Sequence, residues 1–111
     1  MKQILVIGSK GFIGSAAVRY YESRGYTVTG CDIIENDKAV GYYKVQSNEP
    51  DYHRVFQQVS PDICLNASGA ANVPLSFDDP LMDYQLNVIN VLKIVEAIRI
   101  ESPGTAFINI S

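Results

Sequence analysis

A glycine-spaced turn near the start of the chain, GSKGFIG at residues 8–14, constrains the fold more than any other feature. It follows the apolar run at residues 4–7 and opens a stretch, residues 12–23, whose apolar side chains recur at helical spacing. The first glycine permits a sharp turn off a strand, the second admits an anion to the backbone, and the third lets a helix pack closely on the sheet. The order of strand, turn and helix therefore predicts a phosphate-binding loop at the N-terminus of a helix.

The residues around the glycines favour a nucleotide site over a purely structural turn, which three spaced glycines alone would also fit. Asp32 follows a second strand-like run at residues 26–31, where a dinucleotide-binding fold places a carboxylate for the adenosine ribose. Because a carboxylate accepts both ribose hydroxyls and repels a 2′-phosphate, Asp32 favours NAD over NADP. Lys10 in the loop complicates this preference, because a basic residue there could support the additional phosphate of NADP. The pyrophosphate is an equally good partner for it. The alternative for Asp32 is a solvated turn residue.

Strand-like and helix-like stretches alternate along the chain, which predicts a parallel sheet covered by helices on both faces. Strands are expected at residues 2–7, 26–31, 39–45, 62–66 and 105–110, and helices at residues 12–23, 49–59 and 81–101. The right-handed crossover rule then gives an α/β fold, a Rossmann doubly wound parallel sheet with five strands in the order 3-2-1-4-5. Ligands of such sheets bind outside the carboxyl ends of the strands, between strands 1 and 4.

Composition narrows the class of protein further. The chain has 111 residues, of which 47% are hydrophobic and 19% charged, with a net charge of -3, as expected for one globular domain. Nothing basic suggests nucleic acid, and no apolar run is long enough for a membrane span or a secretory signal, so we expect a cytoplasmic protein. Cys31 and Cys64 are expected to be buried thiols on strands too far apart for a disulfide. His53 is expected to be a solvated surface residue, and no metal site is predicted.

In this order and spacing, the residues resemble the N-terminal half of an extended short-chain dehydrogenase/reductase. The nearest pattern is that of the NAD-dependent nucleotide-sugar epimerases and dehydratases. The matching features are the glycine motif, Asp32, the turn after Asn66, a loop containing Ser76, and a long helix containing Asn87. From their residue type alone, Asn66 and Asn87 could equally bond to the backbone or face a ligand.

The resemblance implies a role for each matching position. The pyrophosphate would be held by the loop residues Gly8, Gly11, Phe12, Ile13 and Gly14. Lys10 is a further candidate cofactor contact because of its charge, not because of the resemblance. The adenosine ribose would be held by Asp32. The phosphate and ribose on the nicotinamide side would lie at Ala67, Ser68 and Gly69. Asn87 would face the cofactor, and Ser76 would lie near the entry of a nucleotide-sugar substrate.

Three departures from the family pattern affect the predicted chemistry. The family's catalytic Tyr-x-x-x-Lys pair is absent, because none of the seven tyrosines is followed by a lysine four residues later. Hydride transfer at a sugar hydroxyl needs such a tyrosine as general base, with its pKa lowered by the lysine and the nicotinamide charge. We therefore expect no catalytic residue in this chain and no activity from it alone. The family's acid after strand 3 is replaced by the polar stretch at residues 46–48, and its His-Leu-Ala-Ala turn reads Leu65-Asn66-Ala67-Ser68.

We interpret residues 1–111 as a single NAD-binding Rossmann domain, an N-terminal fragment of a longer epimerase or dehydratase that is truncated after strand 5. Its full-length enzyme would act on a nucleotide-sugar. An alternative is a self-sufficient regulatory module that senses NAD(H) without chemistry. A third reading is a dimerisation fragment, because the helix at residues 81–101 is apolar on more than one side and the resemblance implies a helical homodimer interface there. The sugar, and the choice among epimerisation, dehydration and reduction, stay open.

Overall fold

The computed structural model describes residues 2–35, 41–47, 49–68, 81 and 88–110. Within these ranges the strands are β1 (Gln3–Ile7), β2 (Thr27–Asp32), β3 (Tyr42–Lys44), β4 (Ile63–Asn66) and β5 (Ala106–Asn109). The helices are α1 (Phe12–Ser23), α2 (Tyr52–Val59) and α3 (Asn90–Glu101). A helix separates each pair of consecutive strands except β2 and β3, between which the described residues contain no helix.

All the strand pairs are parallel, and the sheet has the order β3-β2-β1-β4-β5. The predicted α/β Rossmann fold and its strand order are confirmed. Ile7, the last residue of β1, lies opposite Cys31 of β2 and Asn66 of β4. The carboxyl ends of these three strands are therefore level, and the loops that follow them meet at one edge of the sheet.

Helix and strand boundaries differ from the predicted ones by a few residues, and local chemistry explains two of the differences. α2 begins at Tyr52 because Asp51 caps it, its carboxylate accepting a hydrogen bond from the backbone N–H of Arg54 at 3.2 Å. β3 begins only at Tyr42 because Gly41 has a φ of 70°, a left-handed conformation that interrupts an extended chain. Of the helix predicted at residues 81–101, residues 82–87 lie outside the described part of the chain.

The core is divided by β1, whose alternate side chains point to opposite faces of the sheet. On one face, Leu5 and Ile7 pack with buried residues of α2 and α3, among them Val55, Phe56, Ile94, Ala97 and Ile98. On the other face, Ile4 and Val6 pack against Leu65 and the apolar side of α1. This double burial explains why β1 is apolar at every position after Gln3.

The cysteines and the histidine lie close to where the sequence predicts them. Cys31 and Cys64 are free, buried thiols in the core shared with α2 and α3, so the prediction of buried thiols is confirmed. Burial raises the pKa of both thiols, that of Cys31 to about 12. His53 is at the surface, but its Nδ1 lies 2.9 Å from Oε2 of Glu101, so it pairs α2 with α3.

None of the helices in the described ranges is long and apolar enough to cross a membrane.

Candidate functional site

The glycine loop is held between the ends of β2 and β4. Gly8 has a φ of 83°, which favours glycine, and its N–H donates to the carbonyl of Cys31 at 2.7 Å. A Cβ on Gly8 would lie 2.7 Å from the carbonyl carbon of Ala67, in the turn after β4. The loop and that turn are thus in direct backbone contact, which leaves no room for a side chain between them.

The start of α1 packs beneath the same loop. A Cβ on Gly14 would lie 1.9 Å from the carbonyl oxygen of Gly8, so only glycine allows the helix to approach this closely. The N-cap of α1 is Gly11, which supplies no side-chain hydrogen bond to the first helical turn. An α-helix leaves its first N–H groups without intrahelical partners, so those of Phe12, Ile13 and Gly14 are suited to bind an anion. The loop therefore has the shape and donors that a pyrophosphate requires.

Asp32 joins the end of β2 to the glycine loop. One carboxylate oxygen accepts a hydrogen bond from the backbone N–H of Lys10 at 2.8 Å, and the other accepts one from the backbone N–H of Ile33 at 2.7 Å. Each carboxylate oxygen can accept a further hydrogen bond. Asp32 is therefore fixed in place with acceptor capacity left for the two hydroxyls of a ribose.

The ammonium group of Lys10 lies on the β3 side of the loop. Its Nζ is 4.9 Å from the centre of the Tyr42 ring, a cation–π contact. The Tyr42 hydroxyl donates to the carbonyl of Ile34, which fixes the ring. Burial, followed by the nearby charge of Asp32, raises the pKa of Tyr42 to about 12, so the phenol stays protonated.

A cavity of about 250 Å³ opens at this edge of the sheet. The predicted cofactor residues among its lining are Gly8, Lys10, Gly11, Asp32, Ala67 and Ser68. The polar stretch after β3 also lines it, through Gln46 and Ser47. The structure thus brings together residues from four separate loops. The predicted residues Gly69, Ser76 and Asn87 lie outside the described ranges.

Two lining residues, Tyr52 and Asn90, were missed by the sequence analysis. The Tyr52 hydroxyl donates to Oδ1 of Asn90 at 2.9 Å, and Nδ2 of Asn90 donates to Oγ of Ser68 at 3.0 Å. In the sequence, the spacing of Tyr52 with Val55, Phe56 and Val59 indicates only the apolar face of a helix. The available signal was Asn90 itself, a polar residue four positions before Ile94 on the buried face of α3.

Asn66 completes this buried hydrogen-bond network. Its Oδ1 accepts from the backbone N–H of Ser68 at 3.2 Å and from its Oγ at 2.5 Å, and its Nδ2 donates to Oδ1 of Asn109 at 2.8 Å. Of the two roles open to Asn66, the structure shows the one in which it bonds to the neighbouring turn. Burial raises the pKa of the Tyr52 phenol, so its hydroxyl stays protonated as a donor.

The described part of the chain contains no cluster of three or more His, Cys, Asp or Glu side chains able to hold a metal ion.

The parallel sheet, the glycine loop and the carboxylate at the end of β2 define a dinucleotide-binding protein of the Rossmann class. The model of the NAD-dependent epimerase/dehydratase family matches residues 4–111, and the chain belongs to that family. The predicted resemblance is confirmed, and NAD is confirmed as the cofactor of the family.

Curated relatives lie within the same family. The chain is 25% identical over 107 residues to a UDP-glucose 4-epimerase of Mycolicibacterium smegmatis, a match to 86% of this chain and 34% of that protein. It is 26% identical over 110 residues to a CDP-paratose 2-epimerase of Salmonella typhi, a match to 87% of this chain and 32% of that protein. The chain spans about a third of the length of the curated relatives it matches.

Solved structures agree with the fold. A UDP-glucose 4-epimerase of Thermus thermophilus, in complex with NAD, superposes with a TM-score of 0.79 at 29% identity over 87% of this chain and 33% of that one. The UDP-Glc/GlcNAc 4-epimerase of Campylobacter jejuni superposes with a TM-score of 0.83 over 98% of this chain and 36% of that one. Its 19% identity supports the fold alone.

Proposed function

We propose that this chain binds NAD(H) as the cofactor-binding portion of a nucleotide-sugar epimerase or dehydratase, and that residues 1–111 form one domain of that enzyme. The observation that carries the proposal is the position of Asp32, whose carboxylate lines the cavity while it accepts the N–H of Lys10. This arrangement places a ribose acceptor beside an anion-binding loop. Membership of the family, and the NAD complex of the Thermus thermophilus relative, support the choice of cofactor.

The glycine loop would hold the pyrophosphate. The absence of a side chain at Gly11 leaves the space, and the N–H groups of Phe12, Ile13 and Gly14 supply donors at the positive end of the α1 dipole. Side chains are not needed for this contact. Binding of the pyrophosphate therefore depends on the first turn of α1 lying close to the glycine loop. A Cβ at Gly14 would prevent this, because it would meet the carbonyl oxygen of Gly8.

The two ends of the cofactor would lie on opposite sides of this loop. Asp32 would accept the hydroxyls of the adenosine ribose and repel the 2′-phosphate of NADP. Ala67 and Ser68, which contact Gly8, would support the nicotinamide side. Gly69 and Asn87 are proposed as further cofactor contacts, and Ser76 as a contact to the substrate. NAD supplies a hydride acceptor when bound.

The proposed reaction of the whole enzyme is transient hydride transfer at a carbon of a nucleotide-sugar. The names of the relatives support this substrate class, since they include UDP-glucose, CDP-paratose and dTDP-glucose enzymes. The reaction requires a general base to take the proton of the sugar hydroxyl. Because the 111 residues contain no Tyr-x-x-x-Lys pair, we propose that this chain alone binds the cofactor but does not turn over.

Calorimetric titration of the chain with NADH, and separately with NADPH, tests the proposal. We expect saturable binding that is tighter for NADH. An Asp32→Ala variant should bind NADH at least about tenfold more weakly, because a charge-assisted hydrogen bond is worth about 1.5–3 kcal/mol. A folded chain that binds neither cofactor would overturn the proposal.

Asp62→Ala is the matched control for that variant. The Asp62 carboxylate also accepts a backbone N–H, that of Gln3 at 2.8 Å, but at the amino end of β4. It is therefore a similar contact at the opposite edge of the sheet from the cavity. NADH affinity should be unchanged in Asp62→Ala, even if both variants lose some stability.

A further inference from the structure

We propose that Asn90 and Tyr52 are positioning residues of the cofactor site. Acting through Ser68, they hold the turn after β4 against Gly8 and so fix the side of the cavity that this turn and Gly8 line. The inference rests on the proposed function for its ligand, NAD(H), and on the geometry of the described residues for everything else.

The turn after β4 has little freedom on the side of the glycine loop. A Cβ on Gly8 would lie 2.7 Å from the carbonyl carbon and oxygen of Ala67 and 2.8 Å from Cα of Ser68. The N–H of Ala67 also donates to the carbonyl of Ile7 at 2.8 Å. Any displacement of Ala67 or Ser68 therefore changes the cavity directly, because both residues and Gly8 line it.

Ser68 is held from two directions. Toward the sheet, Oδ1 of Asn66 accepts its backbone N–H and its hydroxyl. Toward the helices, Nδ2 of Asn90 donates to its Oγ at 3.0 Å. Asn90 is fixed in turn by Tyr52, whose hydroxyl donates to Oδ1 at 2.9 Å. The first residues of α2 and α3 thereby set the position of the turn.

The hydrogen bonds of this network all run in one direction. Tyr52 donates to Asn90, Asn90 to Ser68, Ser68 to Asn66, and Asn66 to Asn109. Hydrogen bonds in such a chain polarise one another, so each depends on its neighbours. Because the hydroxyl and the backbone N–H of Ser68 both donate to Asn66, Ser68 has no donor left for a cofactor, and its backbone contributes by its position as a wall of the cavity. The position of that backbone is what Asn90 and Tyr52 control.

A Tyr52→Phe variant of the 111-residue chain removes only the first donor of the network. We expect backbone amide hydrogen exchange at Ala67 and Ser68, measured by NMR without cofactor, to rise roughly fivefold, the size expected for the loss of one net hydrogen bond. The dissociation constant for NADH should rise by a similar factor. Tyr26→Phe is the matched control, because Tyr26 packs against Tyr21 on the other face of the sheet. It should leave both quantities unchanged.

A second variant separates positioning from simple loss of stability. Asn90→Leu removes the link between Tyr52 and Ser68 with a side chain of similar size. If Tyr52 acts through Asn90, Tyr52→Phe should have no further effect on exchange or on NADH affinity in the Asn90→Leu background. Additive effects, or unchanged exchange at Ala67 and Ser68 in Tyr52→Phe, would overturn the inference. Failure of the wild-type chain to bind NADH would overturn the proposed function instead, and the exchange measurement would still decide the positioning role.

Discussion

Gly14 lies so close to Gly8 that a Cβ on Gly14 would be 1.9 Å from the Gly8 carbonyl oxygen. The contact is with backbone, which cannot move aside as a flexible side chain would. We therefore expect Gly14→Ala to destabilise the chain by about 1–3 kcal/mol, the usual cost of overpacking. Urea unfolding followed by circular dichroism measures this difference.

Gly104→Ala provides the control for that variant. A Cβ on Gly104 meets nothing within 4 Å, and its φ is not in the left-handed range. Alanine there should be neutral or stabilise by up to about 1 kcal/mol, by restricting the unfolded chain. A Gly14→Ala variant as stable as Gly104→Ala would contradict the close packing of α1 on the glycine loop.

Lys10 donates its backbone N–H to Asp32, so removal of its side chain should have only a small effect on NADH affinity. Lys10→Ala keeps the N–H that donates to Asp32 and loses the cation–π contact with Tyr42, worth about 0.5–1 kcal/mol at an exposed site. NADH affinity, measured by calorimetry, should fall much less than in Asp32→Ala. A loss as large as that of Asp32→Ala would mean that the ammonium group itself reaches the pyrophosphate.

Much of the fold and part of the site could be predicted because the signals are local in the sequence. The apolar run of β1, the glycine spacing and Asp32 at the end of β2 each report on a few neighbouring residues. Tyr52 and Asn90 could not be found in this way. Their hydrogen bond joins residues 38 positions apart, and the apolar face of α2 gave no sign that the Tyr52 ring carries a paired hydroxyl. Such a contact depends on how two helices pack.

The buried thiols predict a loss of stability at alkaline pH. Burial raises the pKa of Cys31 from 9.0 to about 12, and that of Cys64 in the same direction. A group whose pKa is higher in the folded than in the unfolded chain contributes its full stabilisation at pH values below the unfolded pKa. This contribution is lost as the pH rises through the pKa of the folded chain. The free energy of unfolding should therefore fall from about pH 9 upward, by at most about 1.4 kcal/mol per pH unit for each thiol.

Urea unfolding at a series of pH values from neutral to alkaline measures this slope. A Cys31→Ala variant removes one titrating group and should show a shallower decline, although its stability at neutral pH is lower because a small cavity is left in the core. An identical slope in the variant and the wild type would show that unfolding does not change the protonation of Cys31 in this pH range.

The exposed face of α3 makes the predicted homodimer testable. Leu92 and Val95 on α3, and Val88 two residues before it, recur at helical spacing and stay at least 39% exposed, which is unusual for three neighbouring apolar side chains. If a second copy of the chain covers this face, Leu92→Glu should abolish the dimer, because a carboxylate would be buried without a partner. Sedimentation velocity over a range of concentrations should show a dimer for the wild type and a monomer for the variant.

Ala16→Glu adds the same charge at an exposed position of α1, across the sheet, and should stay dimeric. A wild-type chain that remains monomeric at every concentration would exclude this interface for the chain as it stands.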